Sequence, residues 1–286
     1  MNIDHLKYFI DAAKHESVSK AAKLNFVGQP AVSRAIKGLE EVLGANLLVH
    51  GHNSFQLTET GQAIYAESFQ VFDALSELKN LAEQFSDSFS GPLRLACNQS
   101  IATHLVAPAI VALERKHPKI VPQLKIGNTD QVQKMIDQRE VDFGLVLNDG
   151  EIGKRYKTKN IIRDSFSVVH SPNYKERFED SKLIISRSKK GGMSQKYSKI
   201  YKEKYGSQPD VKVEIASWEI LKKLAILNYG YALVPSFICQ NEIRSKTLKV
   251  HKHRVPPIKF SICTVVAKSR TLPRNAGVFL EAIDSL

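Results

Sequence analysis

The sequence predicts a multidomain α/β protein: short N-terminal helices, one long helix, and a C-terminal domain of alternating strands and helices. The 286 residues exceed what one core usually fills. Apolar residues recur at helical spacing up to Phe85, and a small, polar segment ending at Gly91 and Pro92 interrupts the pattern. Beyond it, strand and helix patterns alternate, as in a parallel sheet. We therefore expect domains at 1–58, 59–90 and 91–286.

Composition restricts the class of protein. The apolar share is 43%, and we find no apolar run long enough to span a bilayer. The first helix-like segment has charged residues throughout and is not a signal peptide, so a cytoplasmic protein without membrane contact is expected. Three cysteines, an odd number, predict neither a disulfide framework nor a zinc module. The net charge of +12 comes largely from residues 154–204 and says little about the N-terminal segment.

The N-terminal segment has the pattern of a helix-turn-helix. Apolar residues in 4–14 have the spacing of an amphipathic helix. Ser17 precedes a second helix at 20–24 as a natural N-cap, and 25–28 reads as a tight turn. A third helix is expected at 29–40, with Pro30 in its first turn, where a missing N–H is harmless. In this geometry the helix after the turn lies in the DNA major groove.

The exposed side of this helix pair has the chemistry of DNA recognition. A glutamine can pair with adenine, an arginine can bind guanine or phosphate, and serine and lysine suit the backbone. From Lys20 to Lys37 there are four basic residues and no acidic one. The alternative is an ordinary three-helix core with a solvated polar face. The predicted DNA-binding residues of this segment are Ser17, Lys20, Gln29, Pro30, Ser33, Arg34 and Lys37.

A hairpin and a long helix are predicted next. Strands at 47–49 and 55–57 around a turn at 51–54 form a wing, which adds His50 to the DNA-binding residues. Thr58 caps the long helix. Its apolar and small residues alternate in steps of three and four, a heptad pattern that needs a partner and predicts a homodimer. The residues of this seam are Gly61, Ile64, Ser68, Val71, Leu75, Leu78, Ala82 and Phe85.

Residues 1–61 together resemble the start of a LysR-type transcriptional regulator. The matching residues are Phe9, Ser17, Ala21, Ala22, Leu24, Gln29, Pro30, Ala31, Val32, Ser33, Ile36, Leu39, Glu40, Leu43, Gly44, Leu47, Leu57, Thr58 and Gly61. The resemblance implies a dimer, often assembled into a tetramer, that binds promoter DNA under control of a small effector, with RNA polymerase as a further partner. Two residues depart from the family: His50 replaces the usual wing arginine, and Gly28 replaces a serine that caps the third helix better.

The C-terminal segment predicts two α/β lobes. Strands are expected at 93–97, 121–126 and 141–147, with helices at 101–116 and 129–139. The second set comprises strands at 165–169, 183–186, 211–215 and 231–234, and helices at 194–205 and 217–227. With crossings near 159–163 and 265–268, this resembles the periplasmic-binding-protein-like effector domain of the family. We assign lobe I to 91–161 and 267–286, and lobe II to 162–266.

Ligands of such lobes bind where strands end and helices begin. This rule and the family resemblance give seven effector-binding candidates: Asn98, Ser100, Asn128, Thr129, Asn148, Arg187 and Phe237. Each is equally compatible with a helix cap or loop residue that binds nothing. Arg163, Arg187, Lys189 and Lys190 favour an anionic effector, although exposed basic residues are commonly only solvated.

Cysteine, histidine and enzyme motifs bear on other functions of the chain. Cys97 is compatible with a redox-sensitive thiol, but a small buried filler is the commoner role. The pairs at residues 50 and 52 and at 251 and 253 are histidines without a third ligand nearby, so no metal or cofactor is expected. An enzyme would need a nucleotide, nucleophile or zinc motif, and we find none. A sequence-neutral architectural DNA binder would spread its basic residues over the N-terminal domain rather than in one stripe.

Overall fold

The computed structural model describes residues 2–49, 55–84, 89–148, 152–181, 183–186, 192–252 and 255–285. The chain forms two compact units, Met1–Glu83 and Gln84–Leu286. Each unit has its own apolar core, and each is described by itself. The residue boundaries of the predicted domains and lobes stay predictions.

The N-terminal unit contains three short helices and one long one. They are α1 (Ile3–His15), α2 (Val18–Leu24), α3 (Gln29–Leu43) and α4 (Glu59–Gln84). The Ser17 side chain accepts a hydrogen bond from the backbone N–H of Lys20 at 3.2 Å and caps α2, as predicted. Pro30 lies in the first turn of α3, and Gly44 ends that helix with a φ of 64°, a conformation that favours glycine.

The segment between α3 and α4 is a minimal hairpin. Leu48 and Leu57 form an isolated antiparallel bridge, and the N–H of Val49 donates to the carbonyl oxygen of Gln56 at 2.9 Å. The predicted strands thus shorten to a single bridge, and the predicted turn at 51–54 lies outside the described residues. The Thr58 hydroxyl accepts from the Gly61 N–H at 2.9 Å and caps α4, as predicted.

The C-terminal unit alternates strands and helices. Its first elements are β1 (Gly91–Cys97), α5 (Gln99–Ile101), a π turn (Ala102–Val106), α6 (Ala107–Lys116), β2 (Ile120–Ile126), α7 (Thr129–Asp137), β3 (Phe143–Asn148) and β4 (Tyr156–His170). The remaining elements are a 3-10 turn (Phe178–Asp180), β5 (Leu183–Ile185), α8 (Met193–Tyr205), β6 (Val211–Glu214), α9 (Trp218–Ile226), β7 (Tyr231–Pro235), a 3-10 turn (Ser236–Cys239), α10 (Gln240–Arg244), β8 (Lys249–Val250), β9 (Ile258–Ala267) and α11 (Arg274–Asp284).

The strands form a mixed sheet in the order β2-β1-β3-β9-β4-β7-β5-β6, with β8 beside β4. The outer neighbours are parallel on both sides: β1 with β2 and β3, and β5 with β6 and β7. The antiparallel pair β4 and β9 joins the two halves, and its register shifts between Asn160 and Ile162. We call the half with β1 to β3 and α5 to α7 lobe I, and the half with β5 to β7 and α8 to α10 lobe II.

Several elements of the C-terminal unit differ from the sequence prediction. Strand β4 begins at Tyr156, well before the predicted 165–169, because β9 supplies its hydrogen-bonding partner from residue 156 to residue 166. Strands β8 and β9 and helices α10 and α11 were not predicted; the crossing expected near 265–268 is the end of β9. Apolar residues of α11, Phe279 among them, lie in the main core of the unit. Among the described residues, none of the helices is both long and apolar enough to span a bilayer.

Candidate functional site

Helix α3 separates an apolar face from a polar one. Val32, Ala35, Ile36 and Leu39 are buried in the N-terminal core. The opposite face is exposed and consists of Gln29, Pro30, Ser33, Arg34 and Lys37. The structure therefore brings together five of the predicted DNA-binding residues on one surface of one helix.

Two further predicted DNA-binding residues lie at the start of α2. Lys20 is exposed, whereas Ser17 is partly buried and its hydroxyl is engaged in the helix cap. His50 lies outside the described residues. The α2–α3 turn also places Phe26 in solvent: its side chain is 96% exposed and its φ is 54°, in the left-handed region. An exposed aromatic residue there was not predicted, because a turn pattern does not reveal side-chain exposure.

Glu40 connects α3 to the wing segment. Its Oε1 accepts the backbone N–H of Leu47 at 2.7 Å and that of Leu48 at 3.2 Å. Glu40 and Leu47 are both buried, so the carboxylate supplies the Leu47 N–H with a partner that water cannot supply, and it also bonds the N–H of the partly buried Leu48. The sequence identified Glu40 only as a family match. Its role depends on the fold, which places residues 47 and 48 beside the end of α3.

Helix α4 leaves part of its apolar seam uncovered. Gly61 and Ser68 of the predicted seam are buried, while Val71 and Leu78 are exposed, Leu78 to 63%. Leu81 beside them is also exposed. Phe85 lies outside the described residues. An apolar row on the outer side of a long helix is what a helix-to-helix contact requires.

The candidate effector residues of lobe I lie at the carboxyl ends of three adjacent strands. Asn98 follows β1 and caps α5 by accepting the N–H of Ile101 at 2.8 Å. Asn128 follows β2 and forms a capping box with Gln131 at the start of α7, where Thr129 is the first helical residue. Asn148 ends β3. The asparagines at 98 and 128 are thus used as caps, and their side chains have structural partners.

Ser100 and Phe237 come from different lobes. Ser100 is 5% exposed in the first turn after β1, and Phe237 is 6% exposed in the 3-10 turn after β7. The ring of Phe237 reaches lobe I, where it meets the His104 ring edge-on at 6.1 Å between centroids. His104 follows Ser100 by about one helical turn. Arg187 lies outside the described residues, as do Lys189 and Lys190.

A charged cluster that the sequence did not reveal lies beside these residues. His104 Nε2 is 2.9 Å from Oε1 of Glu219 on α9, and Oε2 of Glu219 is 3.2 Å from the Lys222 Nζ. Lys222 also contacts Glu242 at 3.1 Å. Residues 104 and 219 are far apart in the chain, so no local pattern joins them. The one available signal was a charged Glu219 and Lys222 pair on the apolar helix α9.

Burial and charge shift the pKa values of this cluster in opposite directions. Burial acts to raise the pKa of Glu219, but the hydrogen bond from His104 and the charge of Lys222 hold that pKa below its ordinary value. Burial acts to lower the pKa of Lys222, but Glu242 and Glu219 raise it. The pKa of Asp164, which accepts the Phe237 N–H at 2.7 Å, is raised by burial. Glu219 and Lys222 are therefore charged at neutral pH.

The three cysteines are free and buried. Burial raises the pKa of each thiol to about 12, which leaves the unreactive protonated form at neutral pH. Within the described ranges, no group of three or more histidine, cysteine or acidic side chains is arranged to hold a metal ion.

Both units match models of one family. Residues 3–62 match the bacterial regulatory helix-turn-helix protein model of the lysR family, and residues 86–286 match the LysR substrate binding domain. The chain belongs to the LysR family. It is a DNA-binding transcriptional regulator with an effector-binding C-terminal domain, and the winged helix-turn-helix followed by a two-lobed α/β domain is the fold expected from the sequence.

Individual relatives of this LysR-family protein are distant but match over most of their length. YoaU of Bacillus subtilis, an uncharacterized HTH-type transcriptional regulator, is 24% identical over 248 residues, 83% of each chain. A full-length OxyR variant from Pseudomonas aeruginosa has a TM-score of 0.72 at 19% identity, covering 99% of this chain and 94% of that one. DarR of Vibrio fischeri, solved in complex with DNA, has a TM-score of 0.57 at 19% identity, covering 100% and 99%.

Proposed function

We propose that this LysR-family regulator reads its operator mainly with the exposed face of α3. The observation that carries the proposal is the arrangement of Gln29, Ser33, Arg34 and Lys37 on the surface opposite the buried face of that helix. In our proposal, Gln29 and Arg34 contact base edges, while Ser33 and Lys37 contact phosphates. Pro30 lies between them and adds an apolar contact.

The remaining N-terminal candidates have supporting roles. Lys20 contacts phosphate at the start of α2, and Ser17 fixes that helix through its cap. His50 contacts DNA from the wing, where the family's usual arginine would bind phosphate more strongly at neutral pH because an arginine is always charged. Operator affinity therefore depends on α3 more than on the wing.

A second copy of the chain is the proposed partner of α4. Val71, Leu78 and Leu81 are exposed on this helix, and pairing two such helices would remove them from water. A dimer presents two α3 helices to an inverted repeat, with half-sites about one helical turn apart or a multiple of it. Further assembly into a tetramer follows the family pattern, and contact with RNA polymerase is a further proposal of the same kind.

The proposed effector is a small anionic molecule bound between the lobes. We infer that Asn98, Ser100, Asn128, Thr129 and Asn148 contact it from the strand ends of lobe I and that Phe237 contacts it from lobe II. Arg187, which lies outside the described residues, is a further candidate from the sequence. Strand ends that meet helix starts favour a negatively charged group. The protein acts in the cytoplasm, where its DNA is, and we propose no catalytic activity and no cofactor.

An electrophoretic mobility shift assay tests the function. The full chain is titrated against the region upstream of its own gene and against unrelated duplex of equal length at about 0.15 M salt, where non-specific binding is weakened. We expect a preference for the upstream region of at least about a thousandfold in affinity. Equal affinity for both duplexes would contradict sequence-specific reading and favour an architectural binder.

A further inference from the structure

A carboxylate group is bound between the two lobes by donors from both of them. The carboxylate belongs to Glu219 of lobe II. Its Oε1 is 2.9 Å from Nε2 of His104 in lobe I, and its Oε2 is 3.2 Å from Nζ of Lys222. A carboxylate oxygen can only accept, so Nε2 of His104 carries the proton of this contact. Each oxygen of Glu219 thus has its own donor.

The two donors are held by contacts that do not depend on Glu219. Lys222 is only 8% exposed, and its Nζ also donates to the carbonyl oxygen of Ile238 at 2.9 Å and contacts Oε1 of Glu242 at 3.1 Å. His104 lies in the π turn Ala102–Val106, a helix irregularity that is frequent at functional sites. The Phe237 ring packs against it. The donors would therefore keep their places if the Glu219 side chain moved away.

The charges at this site limit the ligand that fits it. With Glu219 absent from the site, Lys222 and the His104 N–H face one remaining carboxylate, Glu242. The two donor positions that Glu219 vacates fit one carboxylate, and because Glu242 already balances the Lys222 charge, a ligand with several negative charges is disfavoured.

We propose that His104 and Lys222 form a carboxylate-binding site of the effector cleft, that Glu219 occupies it in the free protein, and that an effector with a single carboxylate displaces Glu219. This inference rests on the proposed function of the cleft. Displacement breaks the direct contact between His104 of lobe I and Glu219 of lobe II, so ligand binding changes how the lobes are held together. Glu219 is in this sense an internal competitor of the effector.

Acetate is the probe, because it supplies the missing carboxylate alone. Thermal unfolding of the full chain is compared at pH 7.5 in sodium acetate and in sodium chloride of equal ionic strength. We expect Glu219→Ala to unfold at lower temperature than wild type in chloride, and acetate to raise its midpoint by about 2–4 °C, as a ligand of the folded state does. The wild type, whose site is occupied, should respond no more than Glu203→Ala, a control on the exposed surface of α8.

Two further variants separate the site from general salt effects. Glu219→Gln keeps the side-chain volume and an acceptor, so acetate should leave its midpoint unchanged. His104→Ala combined with Glu219→Ala lacks one donor and should lose the response to acetate. Fluorescence of Trp218, the single tryptophan of the chain, which adjoins Glu219, reports whether each variant is folded and should shift with acetate only in Glu219→Ala.

Two results would overturn the proposal. One is a folded Glu219→Ala protein whose midpoint and Trp218 emission ignore acetate. The other is an equal response in the double variant. Neither depends on DNA binding, so the proposed function fails separately, in the mobility shift assay. If both stand, Glu219→Ala should change operator affinity about fivefold or more, the lower end of usual coupling between sites, and acetate should reverse the change.

Discussion

Replacing Glu40 with alanine removes the acceptor that links helix α3 to the wing segment. Two backbone N–H groups lose their partner, those of Leu47 and Leu48, at 2.7 and 3.2 Å from Oε1. Leu47 is fully buried, so water cannot take the place of the carboxylate there. The variant therefore tests whether a buried charge holds the wing segment in register with the recognition helix.

The expected loss of stability in Glu40→Ala follows from the two hydrogen bonds that Glu40 accepts. A hydrogen bond to a charged group contributes about 1.5–3 kcal/mol, and the longer bond to partly buried Leu48 belongs at or below the lower limit. We therefore expect local stability to fall by about 3 kcal/mol in Glu40→Ala, which corresponds to roughly a hundredfold increase in the opening constant at about 1.4 kcal/mol per factor of ten. Glu40→Gln keeps an oxygen acceptor without the charge and should lose about half as much.

Hydrogen–deuterium exchange of the full chain measures this directly. Peptides that contain residues 47 and 48 should exchange about a hundredfold faster in Glu40→Ala than in wild type. Glu41→Ala is the matched control, because Glu41 is the exposed neighbour on the same helix. Unchanged exchange in Glu40→Ala, or equal acceleration in Glu41→Ala, would refute the assigned role of the carboxylate.

Three other predictions concern packing, backbone strain and thiol reactivity. In Gly61→Ala the new Cβ would lie 2.1 Å from the Leu47 carbonyl oxygen, so denaturant unfolding should show a free energy of unfolding lower by about 1–3 kcal/mol. The control Gly277→Ala on α11 has open space around the new Cβ, and its free energy of unfolding should rise by up to about 1 kcal/mol. A Gly61→Ala protein more stable than the wild type would contradict the close approach of residue 61 to Leu47. Phe26→Gly should raise the free energy of unfolding by about 1 kcal/mol, because glycine adopts a φ of 54° without strain. A lower free energy of unfolding in this variant would mean that the exposed ring has a contact in the folded protein. A thiol reagent at pH 7.5 should label none of the cysteines in the native protein and all of them in denaturant; native labelling would contradict the burial of Cys97, Cys239 and Cys263.

The helices of the N-terminal unit could be predicted because their signals are local. The cap at Ser17, the proline in the first turn of α3 and the apolar spacing of α1 act within a few residues, and the observed helices agree within about one turn. Strand β4 could not be predicted in full. Residues 157–160 near its start are exposed and include Lys157 and Lys159, and this part is a strand because β9 pairs with it.

The residues of the candidate sites could likewise be predicted where the signal is local and not where it depends on distant parts of the chain. Exposure of Arg34 and Lys37 follows from the helical spacing of α3, which the sequence carries. The strand-end rule located Asn98 and Asn128 but could not show that both are caps. The contact between His104 and Glu219 depends on how two lobes close on each other, and residues so far apart leave no periodic signal.

The affinity of Arg34→Ala for the upstream region of the gene decides whether α3 reads the operator. Arg34 lies on the exposed face of α3, so its replacement should weaken specific binding by about 1–3 kcal/mol, roughly five- to a hundredfold, while affinity for unrelated duplex falls much less. Arg244→Ala, an exposed arginine on α10, should bind the upstream region like the wild type. If Arg34→Ala keeps the full affinity and preference of the wild type, α3 is not the helix that reads the operator.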